Sequence, residues 1–184
     1  AMERIDMGLK HKKQLTKEER ERVAVHESGH LVVMYILHPT DDVFKASIVS
    51  RKESLGVVQG QPREELYLHD KEKLLADIKV SLGGYIAEKI RFKSTSSGVS
   101  GDFKKAMARA HAMVWNIGMS DGGFVGDYSI IPQAQLSEAV KEKLNTETNK
   151  IMQTCLKQVE ELLVEEWKIV QRFVKELLEK EELE

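Results

Sequence analysis

His26 and His30 stand four residues apart in HESGH (26–30), inside the apolar run VAVHESGHLVVM (23–34). On a helix that spacing puts both imidazoles on one face, one turn apart. Two ring nitrogens can then sit about 2.0–2.1 Å from a single zinc ion. Glu27 follows the first histidine and points toward the neighbouring solvent space. A carboxylate there can take a proton from water that a metal has acidified to a pKa of roughly 7. Bare histidines in an apolar segment are costly to bury, and a metal removes that cost. Gly29 lets another element approach closely, while Val23, Val25, Leu31 and Val32 bury the helix and hold the ligands rigid. The pattern is short, and an ordinary helix can carry it by accident.

A catalytic zinc takes three protein ligands and keeps one open position. No histidine follows His30 at metzincin spacing, so the third ligand comes from elsewhere in the chain. His38, His69, His111, Asp77, Glu88 and Asp102 are the candidates. His38 ends the same helix and His69 opens a polar loop. Asp102 follows a loop of small residues at a helix start, where two backbones can come close. The residues alone leave Glu88 and Asp102 both open.

The elements that must position these groups are legible from pattern. Thr16 and Glu19 form a capping box for a helix that runs to about Leu37, where Pro39 stops it. VFKASIVS (43–50) and SLGVVQGQ (54–61) have strand character, with a charged turn between them. Leu74, Leu75, Ile78, Leu82, Ile86 and Ile90 recur at helical spacing and predict a helix over about 70–92. STSSGVSG (94–101) reads as a loop in which Ser100 caps a helix over about 102–117, ended by Gly118. From Ser137 onward there is neither proline nor glycine, and an apolar stripe predicts two antiparallel helices or one long one. Trp115 and Trp167 fall on apolar helical faces and read as packing. The fold class is therefore mainly α, with a small β element after the first helix.

Composition narrows the partners. The chain has 184 residues, 41% hydrophobic and 32% charged, which suits one compact domain with a helix-rich surface. A formal net charge of −2 gives no basic footprint, so no nucleic acid is expected. The single cysteine, Cys155, cannot form an internal disulfide and suits a reducing compartment. The longest apolar run, LVVMYIL (31–37), is too short to span a bilayer, so no membrane segment is expected and the fragment reads as soluble.

LGGYIAEKI (82–90), SSGVSGDFKKA (96–106) and MVWNIGMS (113–120) follow HESGH in the order and spacing of the FtsH/paraplegin family of ATP-dependent zinc metalloproteases. ERIDMGL (3–9) resembles the segment that joins that family's ATPase module to its peptidase domain, and LLEKEEL (177–183) resembles its closing helix. The resemblance covers essentially the whole chain. It implies a zincin-type HExxH peptidase domain with a small β element and a C-terminal helical hairpin. It implies one Zn2+ per chain held by His26, His30 and Asp102, with Glu27 as the base and Glu88 orienting a histidine ligand from behind. Residues 54–61 alone read equally as a core strand or an edge strand. The resemblance favours an edge strand, Leu55, Gly56, Val57, Val58 and Gln59, onto which a peptide substrate adds. Ser28, Tyr85, Lys89 and Gly101 depart from the residues usual in the family, and none of them removes a ligand or the base.

No GxxxxGK[ST] motif is present, and the resemblance implies that ATP belongs to an ATPase module outside this sequence. Residues 1–15 then read as the linker from that module and 16–184 as the peptidase domain, with the zinc site within 16–136 and C-terminal helices over 137–184. The resemblance further implies a membrane-anchored parent whose peptidase domain lies in the bacterial cytoplasm or an organelle interior. It implies a homo-hexameric ring and unfolded or membrane-protein substrates. The contrasting expectation is a catalytically silent ring-assembly module of the same fold. An intact His26, Glu27, His30 and Asp102 favours the peptidase.

Overall fold

The computed structural model describes residues 15–50 and 55–184. The linker expected over 1–15, apart from Leu15, and the charged turn at 51–54 lie outside the described residues. Among the described residues there are five α-helices and one three-stranded antiparallel sheet.

Helix α1, Lys17–Leu37, carries HESGH at its centre, and residues 24–34 are buried. The capping box is formed as the sequence predicts. The Thr16 hydroxyl accepts from Glu19 N–H at 3.2 Å and the Glu19 carboxylate accepts from Thr16 N–H at 2.8 Å, an arrangement worth about 1 kcal/mol. Strands β1 (Asp41–Ser47) and β2 (Val57–Pro62) follow and pair antiparallel. Helix α2, Lys71–Phe92, is capped by Asp70 and packs along α1. The two helices cross at Gly29 and Gly83. A Cβ built on Gly29 would lie 2.4 Å from the Gly83 carbonyl oxygen, and one on Gly83 would lie 2.6 Å from the Gly29 oxygen. A methyl group on either forces the helices apart, at about 1–3 kcal/mol for overpacking.

Helix α3 spans Ser100–Trp115. Here the structure corrects the expected cap. Ser100 lies inside the helix and makes no cap, because a 3₁₀ turn at Ser97–Val99 runs straight into α3. Ser96 starts that turn by accepting from Gly98 N–H at 3.3 Å. At the far end Gly118 takes a left-handed φ of 61°, and Met119 N–H reaches back to Met113 O at 2.7 Å, closing the helix where the glycine predicted.

The C-terminal region forms two helices, α4 (Glu138–Glu165) and α5 (Trp167–Lys180), separated at Glu166. They lean on the rest of the domain more than on each other: α4 on α2 and α3, α5 on α1. The sequence reading ended the chain in helix. Instead Glu181, at φ 65°, turns the backbone and Glu182–Leu183 become strand β3, paired to β1 through Ala46↔Leu183 and Ser47↔Glu182. The buried Lys45 amine holds that tail through Glu184 at 2.7 Å and Glu182 at 3.5 Å. Sheet order β2-β1-β3 leaves β2 at an edge. One continuous core joins α1, α2, α3, α4 and α5, and no helix of the described residues is long and apolar enough to cross a membrane.

Candidate metal centre

His26 and His30 face α2 and α3 from one side of α1. Their Nε2 atoms lie 3.0 Å apart. Asp102, in the first turn of α3, places Oδ2 at 3.1 Å from His26 Nε2 and 3.3 Å from His30 Nε2. These three residues form the group among the described residues that could hold a metal ion.

The other ring nitrogens fix which atoms face the group. His30 Nδ1 donates to the Val80 carbonyl at 2.6 Å, and His26 Nδ1 donates to Glu88 Oε1 at 2.8 Å. With Nδ1 protonated on both rings, each neutral ring turns an Nε2 lone pair toward the other and toward the Asp102 carboxylate. Three acceptors this close need a cation between them. Two imidazole nitrogens and one carboxylate oxygen are the donor set zinc takes in catalytic sites. The residues therefore fit the metal.

Charge in the protein alone runs the same way. Burial opposes the His26 cation and is the largest single influence, but the Asp102 and Glu88 carboxylates together outweigh it and push the pKa up to about 10. Burial also opposes the Asp102 anion, yet hydrogen bonds from His26 and His30 hold its carboxyl far below the usual range. Without a metal, a proton must sit among the three acceptors, and a divalent ion displaces it.

Glu27 differs from the expectation. It does not face open solvent but is 6% exposed, covered by the chain just before β2. A Cβ on Gly56 would fall 2.5 Å from Glu27 Oε1, so any larger residue there would push the Glu27 side chain out of its place under that segment. Burial raises the Glu27 pKa, partly offset by the His30 and His26 rings. Of the residues expected in the substrate strand, Val57, Val58 and Gln59 lie in β2, while Leu55 and Gly56 precede it.

Glu88 lies behind His26, on the side away from Asp102. Its carboxylate, 1% exposed, accepts four hydrogen bonds: His26 Nδ1 and Ser96 Oγ (3.0 Å) at Oε1, and Ser96 N (2.7 Å) and Arg22 Nη1 (3.0 Å) at Oε2. Burial favours the neutral acid, and these partners reverse it, holding the pKa below the usual value. The other third-ligand candidates are elsewhere. His38 and Asp77 pair with one another at 3.1 Å, His111 stacks on Trp115, and His69 is exposed beside the Asp70 cap.

Sequence reasoning missed four contributors. The Val80 carbonyl, Ser96 and Arg22 orient the site through contacts 8 to 66 residues apart in sequence. Gly84 clears space for the His26 ring: a Cβ there would meet its Cε1 at 2.5 Å. The GG pair in LGGYIAEKI was the available signal, with Gly83 serving the helix crossing and Gly84 the ligand. Of the departures from the family, Tyr85 packs edge-on against Phe103 and lies under the Lys89 amine, so two of the unusual residues adjoin each other.

A helix-borne HExxH facing an aspartate on a separate helix, in a mainly helical domain with a small sheet, defines a zinc metallopeptidase domain. The chain belongs to Peptidase family M41, whose model matches residues 13–184. It is 31% identical to the ATP-dependent zinc metalloprotease FtsH 3 of Conexibacter woesei, over all of this chain and 26% of that protein. It is 34% identical to the ATP-dependent zinc metalloprotease FtsH of Rhodothermus marinus, over all of this chain and 28% of that protein. It is 33% identical to the mitochondrial inner membrane m-AAA protease component AFG3L2 of Mus musculus, over all of this chain and 24% of that protein. The chain thus spans less than a third of the length of these relatives.

Proposed function

We propose that this chain is the peptidase module of an ATP-dependent zinc metalloprotease, an endopeptidase that binds one zinc through His26, His30 and Asp102. The observation that carries the reading is the triangle of His26 Nε2, His30 Nε2 and Asp102 Oδ2, 3.0 to 3.3 Å on its sides, with the buried Glu27 next to it in sequence. Glu88 fits the role of orienting His26 and not that of a ligand, because both its oxygens are taken and it faces the opposite ring nitrogen. A zinc ion, when bound, acidifies water and polarises a carbonyl oxygen.

The protein's own groups do the rest. Glu27 accepts the proton of the attacking water through its carboxylate and returns it to the leaving amine. Its carboxylate is buried beside both histidines, so it is held where that proton would be transferred. The free edge of β2 offers backbone N–H and C=O groups to an extended peptide, which adds as a further strand beside Glu27. Such a site favours unfolded polypeptides, since a folded substrate with a stability of about 5–15 kcal/mol exposes almost no extended chain. In the full-length protein, 1–15 would join the domain to an ATPase module that uses ATP to unfold substrates. A homo-hexameric ring, a membrane anchor, and a cytoplasmic or organelle-interior position complete the reading, by the resemblance to the FtsH/paraplegin family.

The test is digestion of a denatured protein and its stably folded form, with and without a chelator. The denatured form is expected to be cut, with cutting lost to the chelator and restored by zinc, and the folded form to be spared. Cleavage that survives complete metal removal contradicts the reading.

A further inference from the structure

Glu88 is nearly sealed from solvent, and its carboxylate is the link between two parts of the site. At Oε1 it holds the His26 ring. At both oxygens it holds Ser96, which starts the turn that leads into α3 and Asp102. A carboxylate can rotate about its last bond, so the direction in which Oε1 points depends on what holds Oε2. Two donors do: the Ser96 amide and Arg22 Nη1. The amide moves with the loop. Arg22 stands on α1 four residues before His26, so the two side chains leave the same face of the same helix one turn apart. Its guanidinium lies 4.4 Å from the centre of the Phe92 ring at the end of α2, and Nη2 is 3.5 Å from Ser94 Oγ. The fork is thus stacked on one side and bonded on two others. It also supplies the charge that a nearly sealed carboxylate requires.

We propose that Arg22 is a positioning residue for the metal centre: it fixes Glu88 in the orientation that sets the His26 ring and, through Ser96, the loop bearing Asp102. The inference rests on the reading of His26, His30 and Asp102 as metal ligands. Arg22 makes no hydrogen bond to the ligand residues, and its main contact toward them is the one to Glu88, with a longer one to Ser94.

Zinc dissociation constants measured by competition with a chromophoric chelator, beside melting temperatures of the metal-free proteins, test this. Wild type is expected to bind about one zinc per chain. R22M keeps an unbranched side chain of similar length but loses the fork and its stacking on Phe92, so it should bind zinc about 10-fold more weakly, at the low end of the roughly 10–100-fold seen for outer partners of metal ligands. Its metal-free melting temperature should fall as well, since the buried Glu88 carboxylate loses a charged partner, so the affinity is measured well below that temperature, on folded protein. R22K should recover part of the affinity. In the E88Q background R22M should cause a clearly smaller loss than in wild type, because its main route to the metal, the carboxylate, has been removed. R22M binding zinc as tightly as wild type overturns the inference, as does a lower metal-free melting temperature with affinity intact, or losses that multiply in R22M/E88Q. If R22M does not fold, R22Q is read the same way, and unchanged affinity there overturns it equally. A wild-type chain that takes up no zinc overturns the metal reading and this inference together.

Discussion

The helix pair α1 and α2 carries two histidine–carboxylate pairs, one in the middle and one at an end. His26 meets Glu88 at 2.8 Å, and His38 meets Asp77 at 3.1 Å. Both histidines are buried and both carboxylates are held by an arginine, Arg22 in the first pair and Arg109 in the second. They differ in where the second ring nitrogen goes. His38 Nδ1 accepts the Asp41 backbone N–H at 2.9 Å, so the ring is complete: one donor, one acceptor, both used. His26 Nε2 faces only other acceptors, His30 Nε2 and Asp102 Oδ2. The first arrangement ties the end of α1 to the start of β1. The second is a group that could hold a metal ion. A histidine's partner at one nitrogen therefore says little about its role, and the group facing the other nitrogen decides it.

Variants at the two ends sharpen this contrast. The largest effect is expected at the open end. H30A should lose most of its zinc and with it essentially all hydrolysis, whereas H38A should keep both, as metal analysis and a peptide assay on the same preparations would report. Zinc-dependent activity lost in H38A would erase the distinction between the pairs. Next, E27Q should keep its zinc and fold yet lose hydrolysis by at least about 10²-fold, because an amide has no basic form to take the proton. Near-normal turnover in zinc-loaded E27Q would remove Glu27 as the base. G84A pushes a methyl group into the His26 ring. Activity should fall on the order of 10²-fold from a displacement of about 1 Å, and no glycine among the described residues is placed this way against His38. Wild-type activity in G84A would show that the ring has room the structure does not give it. The smallest effect belongs to the closed end. H38A should cost about 1–3 kcal/mol of stability, chiefly from the Asp41 backbone N–H left without its acceptor, since Asp77 keeps Arg109 and Lys73, read from chemical denaturation of metal-free protein. A change within error of zero would mean water replaces the ring at no cost.

The sequence made the open pair legible only in part. The i, i+4 spacing of His26 and His30 dictates a shared helical face, and the capping box, the Asp70–Phe92 helix and the Gly118 stop depend on neighbours within a few residues. These were all readable. Of the six third-ligand candidates, Glu88 and Asp102 both stayed open from the residues alone, because the choice depends on how α1 crosses α2. That crossing is set by Gly29 against Gly83, contacts 54 residues apart that no local pattern encodes. The closing β3 strand was missed for a related reason. Glu182 and Leu183 have no strand partner nearby in sequence, and only β1, more than 130 residues earlier, makes them a strand. Glu27 looked exposed because a helix face shows one neighbour at a time, and the covering segment at Gly56 comes from across the sheet. Likeness to the family singled out Asp102 before the structure showed its carboxylate beside both Nε2 atoms.

The assignment of the third ligand is tested most directly by the zinc bound per chain in D102A and E88Q, purified together and dialysed against the same zinc buffer. The account predicts that D102A retains little zinc while E88Q retains close to one ion with weakened affinity. Zinc lost from E88Q and kept by D102A would contradict it, making Glu88 the ligand and Asp102 the bystander.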